Sequence, residues 1–197
     1  MEIVKIRKSR SSKSSNTSFN AIYHVAALVP KENDLKPAFQ YIYSTGEEII
    51  STDGRSLHKA KIEMTKGFYM VVVCTNRLVV LHYEGETVEN IMFPDHESVT
   101  PKNYESYPKI EINFNFSSTG YNVLGEAGRA KAYTRIIRHI TEKGITIDFN
   151  KLRTFTGQWD FYCEHKEVNP GDVLRPFVFV SKDKLCFALI MPLQIRE

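Results

Sequence analysis

The 197-residue sequence is poor in cysteine, has no long apolar run and carries little excess charge, and each shortage excludes something. Cys74, Cys163 and Cys186 lie far apart without C-x-x-C spacing, which argues against both a disulfide framework and a zinc site. Each sits in an apolar or aromatic run, so all three read as reduced core thiols of a cytosolic protein. No stretch approaches the ~18 apolar residues of a membrane span. The opening MEIVKIRKSRSSKSSNTS lacks an apolar core before a small-residue cleavage site and does not read as a secretory leader. A formal net charge of +3 is too small to identify a polyanionic partner, so the distribution of charge matters more. H-E-x-x-H, G-x-S-x-G and P-loop motifs are all missing. Asp53, Asp95, His96 and Glu97 lie near turns without forming a catalytic pair, and His24, His58, His82, His96, His139 and His165 are scattered. The sequence shows no reaction, and it implies no cofactor.

What is present is ample material for a core: 42% of residues are hydrophobic and 25% charged. Residues 9–18, SRSSKSSNTS, read as a polar loop after EIVKI, with Asn16, Thr17 and Ser18 as candidate helix caps. From Phe19, the residues Ile22, Tyr23, Ala26, Ala27 and Val29 recur at helical spacing as far as Pro30. Strand-like runs follow: AFQYIYS, EEIISTDG, SLHKAKIEM, FYMVVVCT and RLVVLHYE, separated by turn residues such as Asp53-Gly54 and Thr75-Asn76. NIMFPDHESVTPKN, bracketed by Pro94 and Pro101, reads as an extended, rigid connector. Beyond it, KIEINFNF alternates as a half-buried strand does. Residues 120–142 read as a helix ending at Lys143-Gly144, and GITIDFN, DFYCEH, PFVFVS and KLCFALIMPL read as strands.

The same order, strand, helix, then antiparallel strands, therefore occurs twice at an offset of roughly a hundred residues. It predicts an α+β fold in one domain over 1–197, with a first unit of about 1–92, a connector 93–108 and a second unit of about 109–197. The two helices are expected on one side of the sheets, related by a pseudo-two-fold. On the second helix Val123, Ala130, Tyr133, Ile136, Ile137 and Ile140 are expected to share a buried face. Lys131, Arg135 and Arg138, with His139 beside them, stand on the opposite face, as either a solvated surface or a stripe facing phosphates.

Three stretches together resemble the bacterial DNA polymerase III β sliding clamp. ALVPKENDLKPAFQYIYSTGEEIISTDGRSLHKAKI is similar to the clamp's middle domain and its T-D-G-H-R-L turn, with Thr52, Asp53, Gly54, Arg55, Ser56 and Leu57 on that turn. Arginine and serine stand where histidine and arginine are usual. FPDHESVTPKN resembles F-P-D-Y-x-x-V-x-P-K: Phe93, Pro94, Asp95, Val99, Pro101 and Lys102 match, and His96 replaces the tyrosine. The C-terminal LRPFVFVSKDKLCFALIMPLQ is similar to the last strand and its V-M-P-M-R ending, on which Leu189, Met191, Pro192 and Leu193 fall. A clamp chain holds three such domains, and by size this one has room for about one.

The resemblance implies a DNA-clamp-like fold and a non-enzymatic replication accessory protein of the cytoplasm. Its partners would be DNA polymerase and other proteins bearing clamp-binding motifs, whose short peptides enter a hydrophobic groove. Thr52, Gly54, Arg55 and Leu57 would form one wall of that groove, Pro94, Ser98 and Val99 its floor, and Leu189, Met191 and Pro192 the other side. Duplex DNA would be contacted or encircled through Lys131, Arg135, Arg138 and His139. Two variants stay open: a homo-oligomeric ring of small subunits, or a single-domain adaptor or decoy that keeps the groove without a ring. The alternative from another class is a plain basic nucleic-acid-binding module, and an unrecognised hydrolase ranks behind it.

Overall fold

The computed structural model describes residues 2–9, 13–30, 36–114, 132–138, 140, 145–164 and 174–194. The chain is α+β and divides into two compact units, one of residues 1–99 with 185–187, the other of residues 100–184 with 188–197.

In the first unit the strands are β1 (Ile3–Arg7), β2 (Tyr41–Ser44), β3 (Ile49–Thr52), β4 (Ser56–Ala60), β5 (Gly67–Cys74) and β6 (Leu78–Gly85). Their order across the sheet is β1-β6-β5-β2-β3-β4, every pair antiparallel. The β5 and β6 sequences, GFYMVVVC and LVVLHYEG, are dominated by the β-branched and aromatic residues that suit a pleated surface. Helix α1 (Lys13–Ala26) packs on β3, β4, β5 and β6 and buries Phe19, Ala21, Ile22 and Val25. Its last turn leaves carbonyls without partners in the helix, and strand side chains satisfy two of them. The Ser51 hydroxyl donates to the Val25 carbonyl at 2.7 Å, and His58 Nδ1 donates to the His24 carbonyl at 2.9 Å.

Strands β7 (Lys109–Asn113), β9 (Gln158–Tyr162), β10 (Phe177–Ser181) and β11 (Cys186–Ile190) follow the order β11-β10-β9-β7; all lie in the second unit except Cys186 and Phe187 at the start of β11, which belong to the first. A separate two-stranded piece pairs β8 (Ile145–Thr146) with β12 (Leu193–Gln194). Helix α2, described over 132–138 and at 140, buries Ala132, Ile136 and Ile140. Phe114, Phe155, Trp159, Phe161, Phe177 and Phe179 interlock as the centre of this core, with centroids as close as 4.4 Å between Phe155 and Trp159.

Five local expectations are corrected. Helix α1 starts at Lys13, so Asn16, Thr17 and Ser18 lie inside it and do not cap it. Asn16 Oδ1 instead accepts the Ser9 N–H at 3.0 Å. Propensity losses below about 0.7 kcal/mol per residue do not stop a helix whose next turns bury a full apolar face. Residues Pro37–Gln40 form a 3-10 turn ahead of β2, because Pro37 supplies no N–H to a ladder. The expected strand GITIDFN stops at Thr146; Asp148 then caps a 3-10 turn over Phe149–Leu152, accepting the Asn150 N–H at 2.9 Å. Ile137 is 40% exposed, since α2 turns its buried stripe along Ala132, Ile136 and Ile140. The connector after Pro94 is turned, not extended: Asp95 Oδ1 accepts the N–H groups of Glu97 and Ser98 at 3.0 and 3.3 Å.

Candidate functional site

The β3–β4 turn is fixed by its own side chains. Asp53 Oδ1 accepts the N–H groups of Arg55 and Ser56 at 2.9 and 2.8 Å. Thr52 Oγ1 donates to the Ser56 carbonyl at 2.8 Å and accepts the Gly54 N–H at 3.1 Å. Gly54 has φ +85°, and a Cβ there would stand 2.8 Å from Phe39 Cε2. The position demands glycine twice over, by backbone conformation and by the ring against it. Gly54 and Arg55 present an exposed edge, while Thr52 and Leu57 are buried beneath it.

The 93–99 segment belongs to the same unit. Phe93 stacks on Tyr43 at 5.3 Å, and the Asp95 turn is closed by Ser98 Oγ donating to the Asp95 carbonyl at 3.0 Å. These N–H and O–H donors stabilise the ionised Asp95 and lower its pKa, with the backbone N–H of Ser98 the largest cause. His96 Nε2 lies 3.6 Å from the Glu48 carboxylate, which also faces Lys59 at 3.9 Å. Burial lowers the pKa of His96, and the neighbouring Lys59 charge adds to the effect. Burial also lowers that of Lys59, against the pull of Glu48. Pro94, Ser98 and Val99 are exposed, Val99 to 52%.

In the second unit Leu189 is buried at the end of β11, Met191 is 39% exposed and Pro192 is buried. Of the residues expected to line a groove, Leu57 and Leu189 are therefore core, whereas Gly54, Arg55, Pro94, Ser98, Val99 and Met191 reach the surface. Arg135 and Arg138 are exposed on α2, away from buried Ile136 and Ile140. Lys131 and His139 lie outside the described residues.

Two features went unread in the sequence. The first is the ring contact of Tyr43 with Phe93 and Phe68, which only strand register brings together. The second is a stacked pair, His24 and His58, whose rings are 4.1 Å apart at 3° and buried to 2% and 1% exposure. Burial, then the neighbouring His58, holds the His24 pKa well below the usual imidazole value, against a hydrogen bond to the Phe187 backbone. His24 falls in the apolar periodicity of α1 beside Ala21 and Val25, which was the available signal. Burial raises the Cys74 thiol to about 11, so it is poorly ionised at neutral pH. Among the described residues no group of three or more His, Cys, Asp or Glu could hold a metal ion, and no helix is long and apolar enough to cross a membrane.

No family model matches the sequence, and no curated protein does. Solved structures do match. The DNA polymerase III β subunit of Thermotoga maritima aligns at 10% identity with a TM-score of 0.54, over 98% of this chain and 66% of that one. The Caulobacter crescentus pol III β aligns at 11% identity with a TM-score of 0.54, over 98% and 67%. The Helicobacter pylori β clamp bound to a DNA ligase peptide aligns at 9% identity with a TM-score of 0.50, over 98% and 65%. The chain thus has the fold of the bacterial sliding clamps. It spans about two thirds of the length of the clamps it matches.

Proposed function

We propose that this protein is a clamp-like, non-enzymatic replication accessory factor that binds short peptide motifs of DNA polymerase and other replication and repair proteins. The observation that carries the reading is the T-D-G-R-S-L turn, held rigid by Asp53 and Thr52 within a clamp fold, with Gly54 and Arg55 at its exposed edge. A preformed turn lowers the ordering cost of ligand binding. In the same unit as that turn, Val99 supplies exposed apolar surface of the kind that buries an incoming leucine or phenylalanine, about 1.5–3 kcal/mol for such an anchor. The test is calorimetric titration with a short peptide carrying Gln, then Leu, then a terminal Phe. Val99→Ala should weaken binding on the order of tenfold, about 1.4 kcal/mol, while Lys5→Ala on β1 leaves it unchanged. A folded wild type that does not bind the peptide sinks the reading.

The second reading, duplex DNA contact, is favoured by Arg135 and Arg138 standing exposed on one side of α2. Each phosphate contact contributes about 0.9 to the slope of log K against log salt. Replacing both arginines with glutamate should therefore flatten that slope by about 2. An unchanged slope in a fluorescence titration would leave the arginines as solvated surface.

A further inference from the structure

Within the first unit, the segment that leaves β6 and turns at Asp95 lines an open pocket of about 450 Å3. Its floor is aromatic. Tyr43 on β2 and Phe68 on β5 are cross-strand partners with centroids 5.1 Å apart, and Phe93 lies against Tyr43 at 5.3 Å and 20°. Two paired strands therefore hold the floor. At the mouth Met92 is 87% exposed, a long apolar side chain left in water.

The charged lining has one sign in excess: Glu86, Asp95 and Glu97 against Lys66, with the imidazole of His96 beside them. The Lys66 ammonium is engaged by Glu86 at 3.0 Å. Among the described residues Asp95 and Glu97 make no ion pair within 4 Å; His96, which also lines the pocket, and Lys59 sit nearest Glu48 and feel the Glu97 charge as well. An aromatic floor beneath surplus carboxylates attracts a cation by the ring quadrupole and by charge together.

We propose that this pocket receives the guanidinium of an arginine borne by an extended segment of a partner protein. A planar guanidinium stacks on rings such as Tyr43 and Phe93 while its N–H fork reaches carboxylates, which a compact ammonium cannot do. The methylenes of the arginine stem are matched by Met92 at the mouth. A carboxylate side chain would meet repulsion from Asp95 and Glu97, and a purely apolar one would strip them of water without replacing it. The inference is independent of the peptide-groove reading: of the groove residues, Pro94 alone lines this cavity.

The full chain, labelled with nitrogen-15, is titrated with acetyl-Ala-Arg-Ala-amide, followed by amide chemical shifts. Matched peptides with leucine or glutamate at the centre serve as comparators. The arginine peptide should shift the amides of Tyr43, Phe93 and Glu97 in a saturable way, at least fivefold more tightly than the leucine peptide. Glu97 is exposed, so Glu97→Gln leaves the fold intact and should weaken the arginine peptide at least threefold, with little effect on the leucine peptide. Phe93→Leu, checked for an unchanged spectrum elsewhere, should weaken it as well. Equal binding of the leucine and arginine peptides, indifference to both substitutions, or no shift at these amides would overturn the proposal.

Discussion

The first unit buries mostly branched aliphatic side chains, Ile42, Ile49, Ile50, Val79 and Leu81, around one apolar helix face and a stacked histidine pair. The second buries a run of interlocking rings, Phe114, Phe155, Trp159, Phe161, Phe177 and Phe179. Aliphatic cores are made of many small, partly interchangeable pieces, whereas a ring cluster depends on large flat groups held at set angles. Both units bury branched aliphatic side chains, Ile112, Ile136, Ile147 and Leu152 among those of the second, and they differ in the interlocked ring cluster at the centre of the second, which sets what each tolerates.

The largest expected effect tests that contrast directly. Phe155 is fully buried and touches Phe114, Trp159 and Phe179, so Phe155→Ala should cost about 3–5 kcal/mol in urea unfolding. Ile50→Val in the first unit should cost about 0.5–1.5 kcal/mol. Equal losses per methylene removed would erase the distinction.

Next comes backbone crowding in the first unit. Gly67 has φ +136°, and a Cβ there would run into the carbonyl of Gly85 on the paired strand β6. Backbone cannot rotate away as a side chain can, so Gly67→Ala should approach the upper end of the roughly 1–3 kcal/mol range for strained positions. A thermal scan with an unchanged midpoint would show that β5 and β6 can separate at little cost.

The smallest effect is pH dependence from the histidine pair. Folding lowers the His24 pKa through burial and His58, so below the ordinary imidazole value of 6.5 the unfolded chain binds a proton that the folded chain refuses. Stability present above pH 6.5 is therefore lost as the pH falls below it. His24→Gln, which keeps a neutral polar group, should flatten the dependence between pH 7 and 5.5, measured by urea unfolding at each pH. A slope unaffected by the substitution would move the proton uptake elsewhere, with His96 the next histidine to replace.

Strands and turns were legible where the chain announces them locally. The alternation in KIEINFNF gave β7, and Asp53-Gly54 gave the turn whose hydrogen bonds the structure displays. The fold resemblance rested on that turn, on FPD and on MP, and the matched structures are sliding clamps. What stayed hidden depends on partners distant in sequence. Two prolines suggested stiffness around Asp95, but the Asp95 carboxylate bends the chain through N–H groups that proline does not affect. Tyr43 and Phe68 meet through register, and Phe93 joins them only once that segment has turned. Leu57 and Leu189 matched a groove motif, yet a motif match does not separate a residue that supports a surface from one that forms it.

Residues 185–187 complete the first unit although they are made long after its other strands. The Leu185 carbonyl accepts the Lys61 N–H at 2.9 Å, and the Phe187 backbone takes the hydrogen bond from buried His24. During vectorial synthesis at about 5–20 residues per second, the early strands must wait several seconds for these closing groups. In that interval His24 and the last strand edge of the first unit remain open to water and to other nascent chains. Assembly of the first unit is thereby completed late, by a short piece translated long after its other strands.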